Sequence, residues 1–390
     1  MNTSDTVKGA SEGNLASPSP QSSVPQSMTP DLASTPGPQS APPNGGIPRG
    51  PSNFRRRWQK IGGVLLSLVL TLLGLLVVTF IIGRIMPIDP VLKVVGERAT
   101  QAQYDAAYRA LGLDQPLWRQ FALYVWDVLH GSFGMSISTG HPVSEDLKRV
   151  FPATVELATL GTLIGVLVGV PLGVIAAARR GGWIDQIARV VALIGYSMPI
   201  FWLGLMGLLV FYGMLGWVGG PGRQGLIYDG MVPSVTGLVL LDSLIAGDWG
   251  AFKDAFSHII LPASLLGYFS LAYISRMTRS FMLEQLTGEY ILTARVKGLS
   301  ETQVIWGHAF RNIAVPLITV IALSFATLLE GSVLTEIIFS WPGIGQYITK
   351  AMLAGDMNAV LGGTVVIGTC FIGLNLLSDL LYRVLDPRSE

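Results

Sequence analysis

The sequence predicts an all-α polytopic membrane protein with six transmembrane helices. Two observations carry this. Only 13% of the 390 residues are charged and the mean hydropathy is +0.51, whereas a soluble domain carries about 25% charged residues to cover its surface. The apolar residues also come in uninterrupted blocks rather than alternating with polar ones at period 2 or 3.6, and a block of about 20 apolar residues is what a helix needs to cross a hydrocarbon core.

The segments meet that requirement in order. Residues 1–53 hold ten of the 23 prolines and no aromatic residue; such a segment cannot bury enough apolar area to offset the entropy of ordering, and a disordered cytoplasmic tail is expected there. It has no apolar core preceded by basic residues, so it does not read as a signal peptide. The apolar remainder, 54–390, begins with the basic run Arg55–Arg57 and Lys60. Six spans follow at about 61–83, 155–178, 188–213, 255–276, 312–335 and 357–382. The apolar stretch Gly230–Leu241 is too short to cross and contains Pro233, so it falls in an external loop.

Basic residues set the orientation. With the N-terminus inside, Arg179, Arg180, Arg189, Arg276, Arg279, Arg295, Lys297, Arg311, Arg383 and Arg388 all fall on the cytoplasmic side, and both termini are cytoplasmic. The external segments 84–150 and 214–254 are rich in acids instead. The cytoplasmic segment 277–311 is too long for a simple helix connection, which usually takes two to eight residues, so it is expected to dock a partner.

Within the second span, Gly161, Gly165, Gly169 and Gly173 recur every fourth residue and share one helix face. Close packing of another helix on that face is favoured over a flexible hinge, and Pro171 is expected to kink the span. Ionisable groups inside a membrane helix are functional by default. Glu330 in the fifth span faces either a polar passage or an external vestibule, Asp379 pairs with Arg383 near the inner end, and Glu156 sits at the outer interface. An ion-coupled carrier would need several such groups at the midplane, and few are seen. A non-transporting membrane receptor or scaffold is the other rival.

The composition also excludes other chemistries. A net charge of +1 does not suit a nucleic-acid binder. Cys370 is single, so neither an internal disulfide nor a thiolate metal cluster can form. His130, His141, His258 and His308 are scattered, and no phosphate-binding loop or nucleophile elbow occurs. The chain binds no cofactor and catalyses nothing on this reading; any ATP is bound by another chain.

Residues 289–303 read Glu-Tyr-Ile-Leu-Thr-Ala-Arg-Val-Lys-Gly-Leu-Ser-Glu-Thr-Gln. A short helix ends at Gly298, and Ser300 with Gln303 forms a capping box for the next. Tyr290, Ile291 and Ala294 fall on one face, which makes either a knob for a soluble partner or an interfacial hairpin.

That segment, with His308-Ala-Phe-Arg-Asn312 and Pro316, resembles the coupling loop of ABC-importer permeases. Leu111-Gly-Leu-Asp-Gln-Pro116, Gly131-Ser-Phe-Gly134, Phe151-Pro-Ala-Thr-Val-Glu-Leu-Ala158, Ser197-Met-Pro199, Phe339-Ser-Trp-Pro-Gly343 and Leu385-Asp-Pro-Arg388 extend the similarity over most of 58–388. They are similar to the dipeptide/oligopeptide/nickel branch, in its first-permease subunit. Leu292-Thr293-Ala294 stands where the broader motif has Glu-Ala-Ala, and Pro316 comes later than the usual proline; both fit the peptide branch. The resemblance implies a type I importer fold in a bacterial cytoplasmic (inner) membrane, working with a second homologous permease, two ATP-binding subunits that use ATP and Mg, and an extracytoplasmic solute-binding protein that delivers to 84–150 and 214–254. It implies a coupling role for Glu289, Tyr290, Thr293, Ala294, Lys297 and Gly298, with Ala294 and Gly298 in a cleft of the ATPase.

Overall fold

The computed structural model describes residues 53–85, 89–96 and 98–385. The proline-rich segment 1–52, the Arg55–Arg57, Asp379 and Arg383 side chains, and Asp386-Pro-Arg388 lie outside the described residues.

Helix α1 (Asn53–Ile85) leads into three short helices. Asp89 caps α2 (Pro90–Val95), its carboxylate accepting from Val91 N at 2.8 Å, with Pro90 at the first position where no N–H is needed. A capping box between Thr100 and Gln103 opens α3 (Gln101–Ala110), and α4 (Leu117–Leu129) starts after Pro116. Helix α5 (Val143–Ala178) passes through Pro152 and Pro171 without interruption, and it begins well outside the expected span.

The third span departs from expectation. It is not one helix over 188–213 but α6 (Trp183–Ser197) and α7 (Ile200–Gly207), the latter running into a π-helical turn at Leu208–Met214; the two arms are bent by 99°. Pro199 explains the break. Its ring disfavours helical backbone at the preceding residue, and Met198 is extended at φ −90°, ψ 132°.

The expected external loop contains α8 (Val239–Ile245), followed by α9 (Trp249–Leu286), which Asp248 caps. Next come α10 (Glu289–Val296), a π-helical turn at Gln303–Ala309 and α11 (Phe310–Gly331). The fifth span ends at Gly331 rather than 335, because α12 (Val333–Ile338) starts separately; α13 (Ile344–Ala354) and α14 (Met357–Leu385) complete the chain. Among the described residues five helices are long and apolar enough to cross a membrane, or six with the bent pair taken as one span.

Helix pairing gives that crossing count independently. A Cβ built at Gly161 would meet Leu266 and the Gly267 amide, at Gly169 the Leu271 carbonyl, and at Gly173 the Ser275 carbonyl at 2.6 Å. Positions rise together along both chains, so α5 and α9 run parallel with their backbones in near contact. Parallel neighbours need a return crossing between them, and only the α6–α7 pair stands there. Conversely, Gly83 lies against Leu361 and Gly368 against Leu75, so α1 and α14 are antiparallel. The α11 helix runs against α9, with Ser324 hydrogen-bonded to Ser270 and Ile313 packed in one cluster with Met282. Three helices run each way, and the close-packing reading of the glycines holds.

Candidate functional site

The short helix expected before Gly298 is present as α10, and its anchoring can be followed residue by residue. Gly298 adopts φ +82°, a left-handed conformation that glycine takes without a side-chain penalty. Gly298 N donates to Arg295 O at 2.9 Å and Leu299 N to Ala294 O at 3.3 Å, the paired bonds of a Schellman stop. The Arg295 guanidinium grips Glu301 through two hydrogen bonds of 2.8 and 3.2 Å across the turn. Ser300 and Gln303 cap each other as the sequence implies, with Ser300 N donating to the Gln303 amide oxygen at 3.1 Å.

The inward and outward faces of α10 differ from the sequence reading. Ile291 and Ala294 are buried against Val174, Ile274, Met282, Val304 and Ile313 in the chain's own core. Tyr290, expected on the same face, is exposed and donates to Gln285. Ala294 is therefore small because the helix must seat closely on α5, α9 and the turn before α11, and it does not point away from the chain. Glu289, Leu292, Thr293 and Val296 form the outward stripe at i, i+3, i+4 and i+7; Lys297 and Gly298 are exposed at its end. Leu292 and Val296 are large apolar residues left open, at 64% and 79% exposure.

On the same side of the molecule, buried Asp185 of α6 accepts from Arg279 of α9 at 2.6 and 3.1 Å and from the Gly181 amide at 3.0 Å. This bidentate pair fixes α6 to the helix that leads into α10.

At the opposite end the structure shows a polar cap that the sequence reading missed. Glu336 of α12 is fully buried. It accepts from Thr154 Oγ1 at 2.7 Å, Ser332 Oγ at 2.8 Å and Gln346 N at 2.9 Å. Burial nonetheless pushes its carboxyl above the usual carboxylate range, outweighing these donors. Trp341 Nε1 donates to Ala153 O at 2.8 Å, so the segments around Phe151–Ala158 and Phe339–Gly343 meet here. Glu156 also differs from expectation. It lies at the expected end of the molecule but is buried within the protein, paired with Arg223 and accepting from Leu240 N at 2.8 Å. Arg223 lies over the Trp341 ring, 5.5 Å from its centre, and donates to Gly237 O at 2.9 Å. The loop before α8 is thereby tied to both segments. Asp356, also buried, accepts from Ser136, Ser138 N and Ala359 N.

Buried acids thus exist, but Asp146, Glu156, Asp242, Glu336 and Asp356 gather at this end and not at mid-span. Between the two ends, α9 and α11 border a cavity of about 340 Å³ lined by Phe269, Ser270, Tyr273, Ser324, Thr327 and Leu328. Glu330 is exposed one helical turn beyond Thr327. Among the described residues no group of three or more His, Cys, Asp or Glu side chains could hold a metal ion. His258 contacts Gly220 O at 2.8 Å through Nδ1, and Cys370 packs among apolar side chains.

Comparison with known proteins bears on this arrangement. The family model described as binding-protein-dependent transport system inner membrane component matches residues 169–390, and the model for the N-terminal part of such membrane components matches 61–158. The probable D,D-dipeptide transport system permease protein DdpB of Escherichia coli K12 is 44% identical over 324 residues, 83% of this chain and 94% of that protein. The di/tripeptide transport system permease protein DppB of Pseudomonas aeruginosa is 44% identical over 82% of this chain and 95% of its own length. The dipeptide permease DppB of Alkalihalophilus pseudofirmus is 39% identical, over 83% and 97%. The first match covers α5 from Gly169, the bent pair, α9, α10 and α11, which are the parts that position the outward stripe, and it extends over more than half the chain; this chain belongs to the family of binding-protein-dependent transport system inner membrane components.

Proposed function

We propose that this chain is the first permease subunit of an ATP-driven peptide importer, with both termini in the cytoplasm. Its partners are a second homologous permease, two ATP-binding subunits and an extracytoplasmic solute-binding protein. ATP and Mg belong to the ATP-binding subunits; this chain carries motion, not chemistry.

The observation that carries the proposal is α10. It is a short helix, closed at its C-terminus by the Gly298 stop, whose inner face is part of the core and whose outer stripe leaves Leu292 and Val296 open to a soluble partner. Glu289, Tyr290, Thr293, Lys297 and Gly298 belong to that contact, and Ala294 serves it from beneath by letting the helix sit close. Motion imposed on α10 passes into α9 and α11, which border the hydroxyl-lined cavity. Thr327, exposed on this wall, offers a passing peptide a hydroxyl, and the Glu330 carboxylate one helical turn beyond it attracts the ammonium end. The Glu156–Arg223 and Glu336 contacts hold the outer loops over the passage. For such a cycle to run, ATP and loaded binding protein must each favour a different state of the membrane helices. The relatives that share most of their length with this chain are named for dipeptide and di/tripeptide transport, which supports peptides as the solute.

The test is uptake in proteoliposomes holding the complete transporter, with binding protein outside and ATP inside. Accumulation of labelled di- or tripeptides that needs ATP and survives collapse of ion gradients is expected. Uptake that follows an ion gradient without ATP, or binding without accumulation, would overturn the proposal.

A further inference from the structure

On the side that carries α10, helices α5, α6 and α9 border a half-open cavity of about 420 Å³. One part of its wall is small and apolar, at Gly173, Ala176 and Leu193. Another is made by Arg189, Arg276 and Arg279, and none of the lining residues is acidic. The nearby Asp185 carboxylate binds Arg279 at 2.6 Å and lies 3.4 Å from Arg189. That pairing fixes Arg279 in place, while the Arg189 side chain stays 58% exposed.

The outer surface of α6 bears on what could enter. Ile187, Val190, Leu193 and Ile194 are large, apolar and exposed, and Trp183 is exposed at the start of the helix beside Arg179 and Arg180. An aromatic residue and arginines at one end of an exposed apolar surface mark the boundary between headgroups and acyl chains. The cavity therefore joins a guanidinium cluster, which suits a phosphate diester, to an apolar wall that a free inorganic anion would not use. Basic pockets between helices at this depth suit acidic lipid headgroups.

We propose that this cavity is a binding site for an acidic phospholipid. Its phosphate is held by Arg189 and Arg276 beside the Asp185-anchored Arg279, and an acyl chain lies over Ala176 and Leu193. Because Arg279 is on the helix that leads into α10, the lipid would brace the base of the coupling helix. This inference does not depend on which solute the transporter carries.

The test uses the complete transporter, purified in detergent and titrated with phosphatidylglycerol or phosphatidylcholine, with bound lipid counted by native mass spectrometry. Phosphatidylglycerol is expected to be retained preferentially, and Arg189→Gln with Arg276→Gln to lower its retention by roughly tenfold or more. The double lysine variant should bind between the parent and the double glutamine variant, since charge persists while the bidentate geometry is lost. If the double glutamine variant fails to assemble, Arg189→Gln alone, at an exposed side chain, should still weaken retention several-fold. Equal retention of the two lipids, unchanged retention in the glutamine variants, or displacement of the lipid by millimolar inorganic phosphate would each overturn the proposal.

Discussion

Thr154 donates its hydroxyl to the Glu336 carboxylate at 2.7 Å while accepting the Ile344 N–H at 2.8 Å. One side chain on α5 thus ties α12 to the start of α13. Replacing Glu336 by alanine orphans Thr154, Ser332 and the Gln346 amide in a buried site and leaves a void, which should cost about 3 kcal/mol or more. Glutamine keeps the shape and can both donate and accept there, so Glu336→Gln should stay within about 1.5 kcal/mol of the parent. The pH dependence has a definite sign. Burial raises the folded-state value above the ordinary 4.5, so the folded protein holds this proton more tightly than the unfolded chain does. The stabilisation is complete below that ordinary value and is lost as pH rises through the folded one. Thermal unfolding of the purified complex between pH 5 and 8 should therefore fall more steeply with pH in the parent than in Glu336→Gln. Parallel curves would rule out a titrating Glu336.

The glycines of α5 are not equivalent, and their order is a prediction. A Cβ at Gly173 would stand 2.6 Å from the Ser275 carbonyl oxygen, which belongs to helix backbone and cannot swing aside. At Gly169 the nearest atom is 3.2 Å away, and at Gly74 of α1 nothing lies within 4 Å. Gly173→Ala should cost about 1–3 kcal/mol by forcing α5 from α9, Gly169→Ala less, and Gly74→Ala nothing measurable. Yield of assembled complex and its melting temperature in detergent would rank the three. A Gly173→Ala protein as stable as Gly74→Ala would contradict the parallel close packing.

The spans were legible because a membrane imposes a length rule on every crossing, and the four-residue glycine spacing was legible as a packing face. The partner of that face was not, because nothing local to Gly161–Gly173 says that the touching helix lies a hundred residues on and runs parallel. Pro199 carried the signal for the broken third span, but an apolar run looks the same straight or bent. Glu336 carries no local signal, because the apolar block ends just before it and its donor Thr154 is 182 positions away. On α10 the spacing grouped Tyr290 with Ile291 and Ala294. The chain then folds back so that only Ile291 and Ala294 turn inward, and which face meets the core depends on α5 and α9 rather than on α10.

That split of faces yields the prediction most specific to coupling. Leu292→Asp and Val296→Asp alter residues at 64% and 79% exposure that touch little of the chain itself, so stability should change by no more than about 0.5 kcal/mol. Co-purification of the ATP-binding subunits and peptide-stimulated ATPase activity should nonetheless fall at least tenfold. Ala294→Leu forces extra volume into a site of 6% exposure beside Met282 and Ile313, so it should instead lower the yield of folded permease by destabilising it about 1–3 kcal/mol. Gly298→Val falls between. It has open space around its Cβ position but must hold φ +82°, a left-handed backbone that costs a β-branched residue at least about 1–2 kcal/mol and loosens the stop that aims α10. It should insert normally yet uncouple ATP hydrolysis from uptake. Normal uptake together with normal ATPase co-purification in both aspartate variants and in Gly298→Val would remove α10 from the coupling path.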